Sequence, residues 1–550
     1  MHDILRTWQS HESNTQRPIW PAVQTSFLLH ELVTSQAAER PEAVALTYQS
    51  ASVSYDSLAE SVLRFAAGLI RLEVSRGERV GIFLEKRPEF VIAAFGSAAA
   101  GCTFVPINPL LKPEQLGYIL RDCNVRVLVT SLARLEPLVP MLAECRDLRH
   151  VVLVGRGEYA AMPQSVVPWD LLLTESGVRG HRVIDEDMVA ILYTSGSTGR
   201  PKGVVLSHRN MVVGAKSVAS YLENQSTDTL LAALPLSFDA GFSQLTTAFH
   251  VGARVVLLNY LLPMDVMNVV VRERVTGLTA VPPLWIQLAQ LKWPASVAEH
   301  LRYIANTGGR MPHEILKTLR AAFPKTRPYL MYGLTEAFRA TYLPPEEVDR
   351  RPDSIGKAIP NSEVLVLRAD GTECAPNEPG ELVQRGALVG MGYWNDPEKT
   401  AERYKPLPGR EAGLVRPEVA VFSGDTVRRD EEGYLYFIGR RDEMIKTSGY
   451  RVSPTEIEEV IYATRRVGEC AAVGVDHPAL GQAVVVVATF KDGHPLDEAG
   501  LLAECKQRLP AYMVPSHVEL RTGSLPRNAN DKIDRKRLST EFQHLFGGPA

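Results

Sequence analysis

A chain of 550 residues with 45% hydrophobic and 22% charged side chains has the balance of a globular enzyme, and it can bury a large core without disulfides or metal ions. Its 60 basic and 63 acidic residues leave a formal charge of −3, so composition gives no reason to expect a nucleic-acid or anionic-lipid partner. The length favours several domains, or one large domain with a satellite. Six cysteines, Cys102, Cys123, Cys145, Cys374, Cys470 and Cys505, are scattered and form no C-x-x-C pair. That spacing argues against structural zinc and against a disulfide framework, and for buried thiols in a reducing compartment.

Residues 1–20 are polar and mixed in charge, without the basic start and apolar run of a signal peptide. The uncharged stretch from Phe90 to Leu111 contains Gly96, Gly101, Pro106 and Pro109, which suits a buried helix followed by a strand rather than a membrane span. The expectation is a cytoplasmic protein with no membrane span. Short β-branched runs at 79–85, 125–131, 150–155, 253–259 and 277–283 read as strands, and residues 57–72 show helical spacing. Such alternation predicts α/β layers with largely parallel sheets. After about Asp353 the texture changes: residues 362–386 carry short strands separated by Asp-Gly and Pro-Gly turns, a hairpin-rich β subdomain, and residues 430–443 read as one more hairpin. From Met444 a compact α+β pattern follows, with helices at 454–464 and 497–509 and strands at 470–475 and 483–490. The predicted division is a large domain over 1–439, a hinge at 440–442 and a small domain over 443–550, with no internal repeat.

The strongest local signal is ILYTSGSTGRPKGVVLSH, residues 191–208. Small residues in such a loop let backbone N–H groups approach phosphate oxygens, hydroxyls add donors, and Lys202 can place a charge on a phosphate. It is not a Walker loop, because Lys202 stands between Pro201 and Gly203. In MYGLTEA (331–337), Glu336 is a hard oxygen ligand suited to magnesium bridging phosphates. Alone, it would read as a solvated loop carboxylate, just as Asp425 and Arg440 would read as a surface ion pair.

Together these segments resemble, in order, the motifs of the adenylate-forming superfamily of acyl-CoA synthetases, nonribosomal peptide adenylation domains and luciferases. YTSGSTGRPKG resembles its phosphate loop, MYGLTEA its adenine and magnesium motif, residues 422–458 its ribose and hinge block, and LPRNANDKIDR (525–535) its catalytic-lysine motif. The resemblance runs from Val53 to Lys532. It implies an α/β fold with a large N-terminal domain of layered sheets, a β-barrel-like subdomain and a small mobile α+β C-terminal domain. It also implies ATP and Mg²⁺ as cofactors, and a thiol of CoA or phosphopantetheine as acyl acceptor. By resemblance, Thr194, Ser195, Gly196, Ser197, Thr198, Gly199 and Lys202 hold phosphates, with Gly333 beside them in the second motif. Tyr332 stacks on adenine, Thr335 contacts the α-phosphate, Glu336 binds the metal, Asp425 accepts the ribose hydroxyls, and Arg440 makes a second contact to ribose or phosphate. Lys532 is the catalytic lysine, Asp442 the hinge, and Ser448, Gly449 and Tyr450 line the thiol channel. The family pattern has Gly before the lysine, where this chain has Asp531.

The acid is less legible. LPLSFDAGFSQ (234–244) occupies the family's substrate region, with Phe238 followed by Asp239 where many acyl-CoA synthetases carry an aromatic–His pair. Asp239 resembles the residue with which amino-acid-activating domains pair a substrate ammonium; equally, it can cap the following helix. Further pocket positions by resemblance are Ala240, Ser243, Ala280, Thr307, Gly308, Met331, Arg339 and Ala340. Most are small, which implies a roomy pocket; Arg339 could meet a second substrate carboxylate or salt-bridge elsewhere. The chain ends at Ala550 soon after the lysine motif, an arrangement expected of a stand-alone ligase serving free CoA or a separate carrier protein. Two alternatives stay open: an amino-acid-activating enzyme that loads a carrier protein, and a catalytically silent homologue that binds a nucleotide or acyl group.

Overall fold

The computed structural model describes residues 26–174, 177–194, 201–408, 417–440, 443–447, 450–478, 480–490, 497–528 and 532–547. They divide into two compact units. One holds the chain up to Thr194 with Pro201–Leu261 and Gly390–Asn395; the other holds Leu262–Val389 and the chain from Asp396 onward.

The first unit contains an eight-stranded sheet built as the β-branched runs predict. Strands Arg79–Phe83, Thr103–Pro106, Val125–Ser131 and His150–Val154 are parallel, and Thr103–Pro106 also pairs in parallel with Met188–Thr194. Met188–Thr194 then turns the sheet antiparallel by pairing with Lys202–Ser207, which in turn pairs with Gly392–Tyr393. Helix Pro88–Ala100 is buried on nearly every side, as the uncharged run from Phe90 requires, and Gly101 ends it at φ +80°. Helix Tyr55–Arg71 starts where the Ser54 hydroxyl accepts from Ser57 N–H at 3.2 Å, and it buries the stripe Leu58, Val62, Phe65 and Leu69. This unit also pairs Val44–Tyr48 and Thr229–Ala232 in parallel with Arg254–Leu257.

In the second unit, parallel strands Gly277–Ala280, Tyr303–Asn306 and Arg327–Tyr332 pass into an antiparallel run. The run continues through Thr341–Leu343, Ser354–Ala358, Leu435–Arg440, Val419–Arg429, Gly380–Gly386 and Ser362–Leu367. The hairpin expected at 362–386 is present in this run, whose strand order is an open path; residues 430–440 supply only the turn and second strand of a hairpin whose first strand is Val419–Arg429. The C-terminal α+β pattern forms a five-stranded sheet centred on Val467–His477 and Gly481–Phe490, with helices Pro454–Ala463 and Glu498–Arg508. All six cysteines are buried. Among the described residues, no helix is long and apolar enough to cross a membrane.

Candidate active site

Ser195, Gly196, Ser197, Thr198 and Gly199 of the phosphate loop lie outside the described residues, but both of its stems are described. Thr194 and Lys202 face each other across the antiparallel pair, so the loop leaves and rejoins the sheet at one place. The Lys202 ammonium lies over the Tyr393 ring at 5.4 Å. Helix Pro113–Asp122 braces both stems: Tyr118 OH donates to Pro201 O at 3.3 Å, and Tyr193 OH donates to the Asp122 carboxylate. Asp122 O accepts in turn from Trp394 Nε1 at 3.0 Å and from Asn395 Nδ2 at 2.7 Å. Burial, together with the nearby Cys123 and Asp122, pushes the Tyr193 phenol far above its ordinary range, so it is a donor at any working pH. Sequence reasoning missed Tyr118 and Asp122; their spacing of four on one helix face was the available signal.

Also in the first unit, helix Asp239–Val251 begins at Asp239 with Phe238 as its N-cap residue. The capping alternative is thereby corrected by one position: Asp239 is the first helical residue, where its charge suits the helix dipole. A Cβ on Gly241 would sit 1.9 Å from Pro235 O, so only glycine lets this turn fold tightly onto the Pro235 carbonyl. Ser243 is buried, its hydroxyl 3.5 Å from that of Thr247.

The second unit gathers the largest set of expected residues. Strand Arg327–Tyr332 delivers Tyr332, Gly333 and the short turn Thr335–Ala337 bearing Glu336, whose carbonyl accepts from Tyr404 OH at 3.4 Å. Two residues on, fully buried Phe338 adopts φ +57° and ψ −48°, with Arg339 N–H donating to Ala337 O at 2.6 Å. A bulky residue in this tight, strained turn is unusual, and strain of this kind concentrates at functional sites. Arg339 is buried, its guanidinium 5.8 Å from the Phe338 ring centre, and its carbonyl accepts from Gln384 Nε2 at 2.6 Å. The sequence does not announce this turn.

Asp425 sits directly opposite Arg440 in the hairpin ladder. Tyr332 OH donates to Asp425 Oδ2, and Arg440 Nε lies 3.7 Å from Oδ1. Asp425 Oδ1 is buried and accepts no hydrogen bond among the described residues. Burial raises the Asp425 carboxyl above its ordinary value, against the opposing pull of Arg440 and of the Tyr332 hydrogen bond. Gly424 precedes it at φ +72°, and a Cβ there would lie 2.3 Å from Arg403 Nη1, which donates to Phe422 O at 3.1 Å. A buried carboxylate oxygen lacking a donor is a receptor for a hydroxyl, the chemistry a ribose offers.

Lys532 is exposed and emerges opposite a second glycine of this unit. Gly308, at φ +77° just past strand Tyr303–Asn306, has its Cβ position 3.8 Å from Lys532 Cε and 3.1 Å from Val281 Cγ1. Thr307, beside it, is buried, with its N–H donating to Ala280 O at 3.1 Å. Met331 and Ala340 are also buried. Lys532, Gly308 and Thr307 are therefore brought together from segments over 200 residues apart. Asp442, Ser448 and Gly449 lie outside the described residues; Tyr450 opens the strand Tyr450–Val452, its side chain outside them as well.

The donor chemistry fits a magnesium ion shared with substrate phosphates. Among the described residues, no group of three or more His, Cys, Asp or Glu side chains could hold a metal ion. Magnesium does not need such a group, because it is commonly held by one or two carboxylates plus phosphate oxygens and water, and Glu336 can supply a carboxylate.

Residues 33–394 match the AMP-binding enzyme family, and residues 456–532 match the AMP-binding enzyme C-terminal domain. The chain is 31% identical over 527 residues to L-proline--[L-prolyl-carrier protein] ligase of Pseudomonas fluorescens, covering 94% of this chain and 99% of that one. It is 31% identical over 535 residues to a linear gramicidin synthase of Brevibacillus parabrevis; the match covers 96% of this chain but only 6% of the synthase. The o-succinylbenzoate CoA synthetase of Bacillus subtilis, solved with its acyl-adenylate intermediate, superposes with a TM-score of 0.78 at 26% identity, covering 92% of this chain and 97% of that one. This chain belongs to the AMP-binding enzyme family.

Proposed function

We propose that the protein is an AMP-forming acid–thiol ligase: it activates a carboxylic acid with ATP to an acyl-adenylate and pyrophosphate, then passes the acyl group to a thiol. The observation that carries this reading is the presence, inside one unit, of a buried carboxylate whose Oδ1 lacks a donor among the described residues and of a lysine whose stem reaches Gly308. Asp425 and Arg440 receive the ribose hydroxyls, Tyr332 lies beneath the adenine, and Lys202 and the segment 194–199 receive phosphates. Glu336 would hold magnesium, which supplies positive charge to the phosphate oxygens.

In the first step an acid oxygen attacks the α-phosphorus, the bond to the bridging oxygen breaks, and pyrophosphate leaves. Two anions must meet, so the ammonium of Lys532, with Thr335 at the α-phosphate, offsets charge that grows in the transition state. In the second step a thiol attacks the acyl carbonyl and AMP leaves, a step that does not need Lys532. The division at 440–442 separates the two tasks: backbone change at Asp442 moves the C-terminal domain, and the segment 448–450 then lines the thiol channel. Free CoA or the pantetheine of a separate carrier protein serves as acceptor, and the working compartment is the cytoplasm.

A second reading, in which the acid is an amino acid bound for a carrier protein, is favoured by Asp239. It is the first residue of its helix and not the N-cap, so the cap does not account for it, and a carboxylate there can pair with a substrate ammonium. Pyrophosphate exchange measured across amino, fatty and aryl acids tests both readings. Exchange with any of them, with AMP and pyrophosphate as products, is expected; ADP and phosphate would overturn the mechanism. Loss of an amino-acid preference in Asp239→Ala supports the ammonium contact, and an unchanged preference excludes it.

A further inference from the structure

The loop that presents Lys532 is held by two buried carboxylates and by one residue that grips the lysine backbone at both ends. On the incoming side, Glu469 of strand Val467–His477 accepts from Leu525 N–H at 2.8 Å and pairs with Arg527. On the outgoing side, Arg535 reaches Glu458 at 2.6 and 2.7 Å, and Glu458 also accepts from Ala472 N–H at 2.8 Å on the same strand. Both stems are thus fastened to one strand through carboxylates that are themselves buried. Between the stems, Arg527 and Ile533 form an antiparallel bridge, and Asp534 N–H donates to Pro526 O at 2.8 Å.

Inside that frame stands Asn528. Its N–H donates to Lys532 O at 2.8 Å, and its Oδ1 accepts from Lys532 N–H at 3.2 Å. Any residue can supply the first bond, but the second needs a short side chain with an acceptor, which Asn and Asp provide. We propose that Asn528 is the positioning residue of Lys532: its side-chain oxygen sets the direction in which the lysine stem leaves the loop, and so where the ammonium stands over Gly308. The physical need is plain. A lysine stem has four rotatable bonds, and a displacement of about 1 Å at a reacting centre can lower a rate by about 100-fold. With Asp531 rather than Gly before the lysine, the Asn528 side chain adds to the backbone bonds a side-chain contact that orients the lysine.

The inference rests on the ligase reading, and its test separates the two. ATP–pyrophosphate exchange is measured for wild type, Asn528→Ala, Asn528→Asp and Lys532→Ala with the acid chosen by the screen above, and thioester formation is measured from the purified acyl-adenylate. Asn528→Ala is expected to lower the exchange kcat by about 10-fold or more, to leave KM for ATP within about two-fold, and to spare thioester formation. Asn528→Asp, which keeps the acceptor, is expected to recover most of the exchange. Hydrogen exchange on the full chain is expected to be faster at the Lys532 amide in Asn528→Ala than in wild type or Asn528→Asp. Unchanged exchange chemistry in Asn528→Ala alongside a dead Lys532→Ala overturns the positioning role alone. An active Lys532→Ala overturns the lysine's role and this inference with it. Equal loss of both half-reactions in Asn528→Ala, no recovery in Asn528→Asp, or an unchanged Lys532 amide also overturns it.

Discussion

Asp425 shows how much a single residue's environment adds to its identity. Its place after Gly424 marks it as a ribose acceptor by resemblance; burial, Tyr332 and Arg440 define what it can do. Because burial raises its folded-state pKa, the folded protein keeps a proton that the unfolded chain releases. The stability this confers is fully present below the ordinary aspartate value of about 4 and is lost as pH rises through the raised value. Thermal unfolding measured at increasing pH, starting near the ordinary aspartate value, is expected to show that decline in wild type and a flatter profile in Asp425→Asn. Asp425→Ala is expected to leave the Tyr332 hydroxyl without its acceptor, at about 1–3 kcal/mol, and to raise KM for ATP by about 10-fold. At Gly308 the left-handed backbone makes even alanine strained, with its methyl 3.1 Å from Val281 Cγ1 and 3.8 Å from Lys532 Cε. Gly308→Ala is expected to destabilise by about 1 kcal/mol and to lower pyrophosphate exchange by about 10-fold. Melting and exchange assays on the same preparation check both.

At the scale of elements, the β-branched runs were legible because parallel strands buried on both faces need continuous apolar stretches. Val125–Ser131 and His150–Val154 are such strands, and Ser362–Leu367 with Gly380–Gly386 is the hairpin that the turn residues signalled. The braces were not legible. Helix Pro113–Asp122 carries Tyr118 and Asp122 to the phosphate-loop stems, and Glu469 and Glu458 fasten the lysine loop, through partners distant in sequence. Pattern reading sees an acidic residue in a strand or helix and assigns it to solvent. Removing one partner of a buried ion pair leaves the other charge uncompensated. Glu469→Ala, which strands Arg527 and the Leu525 N–H, is therefore expected to lose about 3 kcal/mol in urea unfolding, far more than removal of an exposed pair such as Arg156 with Asp170.

For the whole molecule, the proposed ligase reaction brings two tasks to one chain, and the division proposed at 440–442 assigns them to different arrangements of the same domains. Proline fixes φ and removes a backbone donor, so Asp442→Pro is expected to hold one arrangement. The expected outcome is a split: one half-reaction, exchange or thioester formation, stays near wild type while the other falls by about 10-fold or more. Parallel loss of both would remove the hinge assignment.

What the sequence by itself determined is the order of the motifs along the chain: the Ser/Thr/Gly run before Lys202, Thr335 and Glu336 after a strand, Asp425 in a hairpin, and Lys532 near the end. These are local signals, written in residue type and spacing, and so is the alternation that builds the sheets. Only the tertiary structure decided which of these residues meet and how they are held. The open Oδ1 of Asp425, the strained turn at Phe338, the seat of Lys532 against Gly308 and the grip of Asn528 all depend on how chain segments approach or turn. Residue periodicity encodes which face of an element is buried; it does not encode which distant group stands opposite, because that is settled by packing.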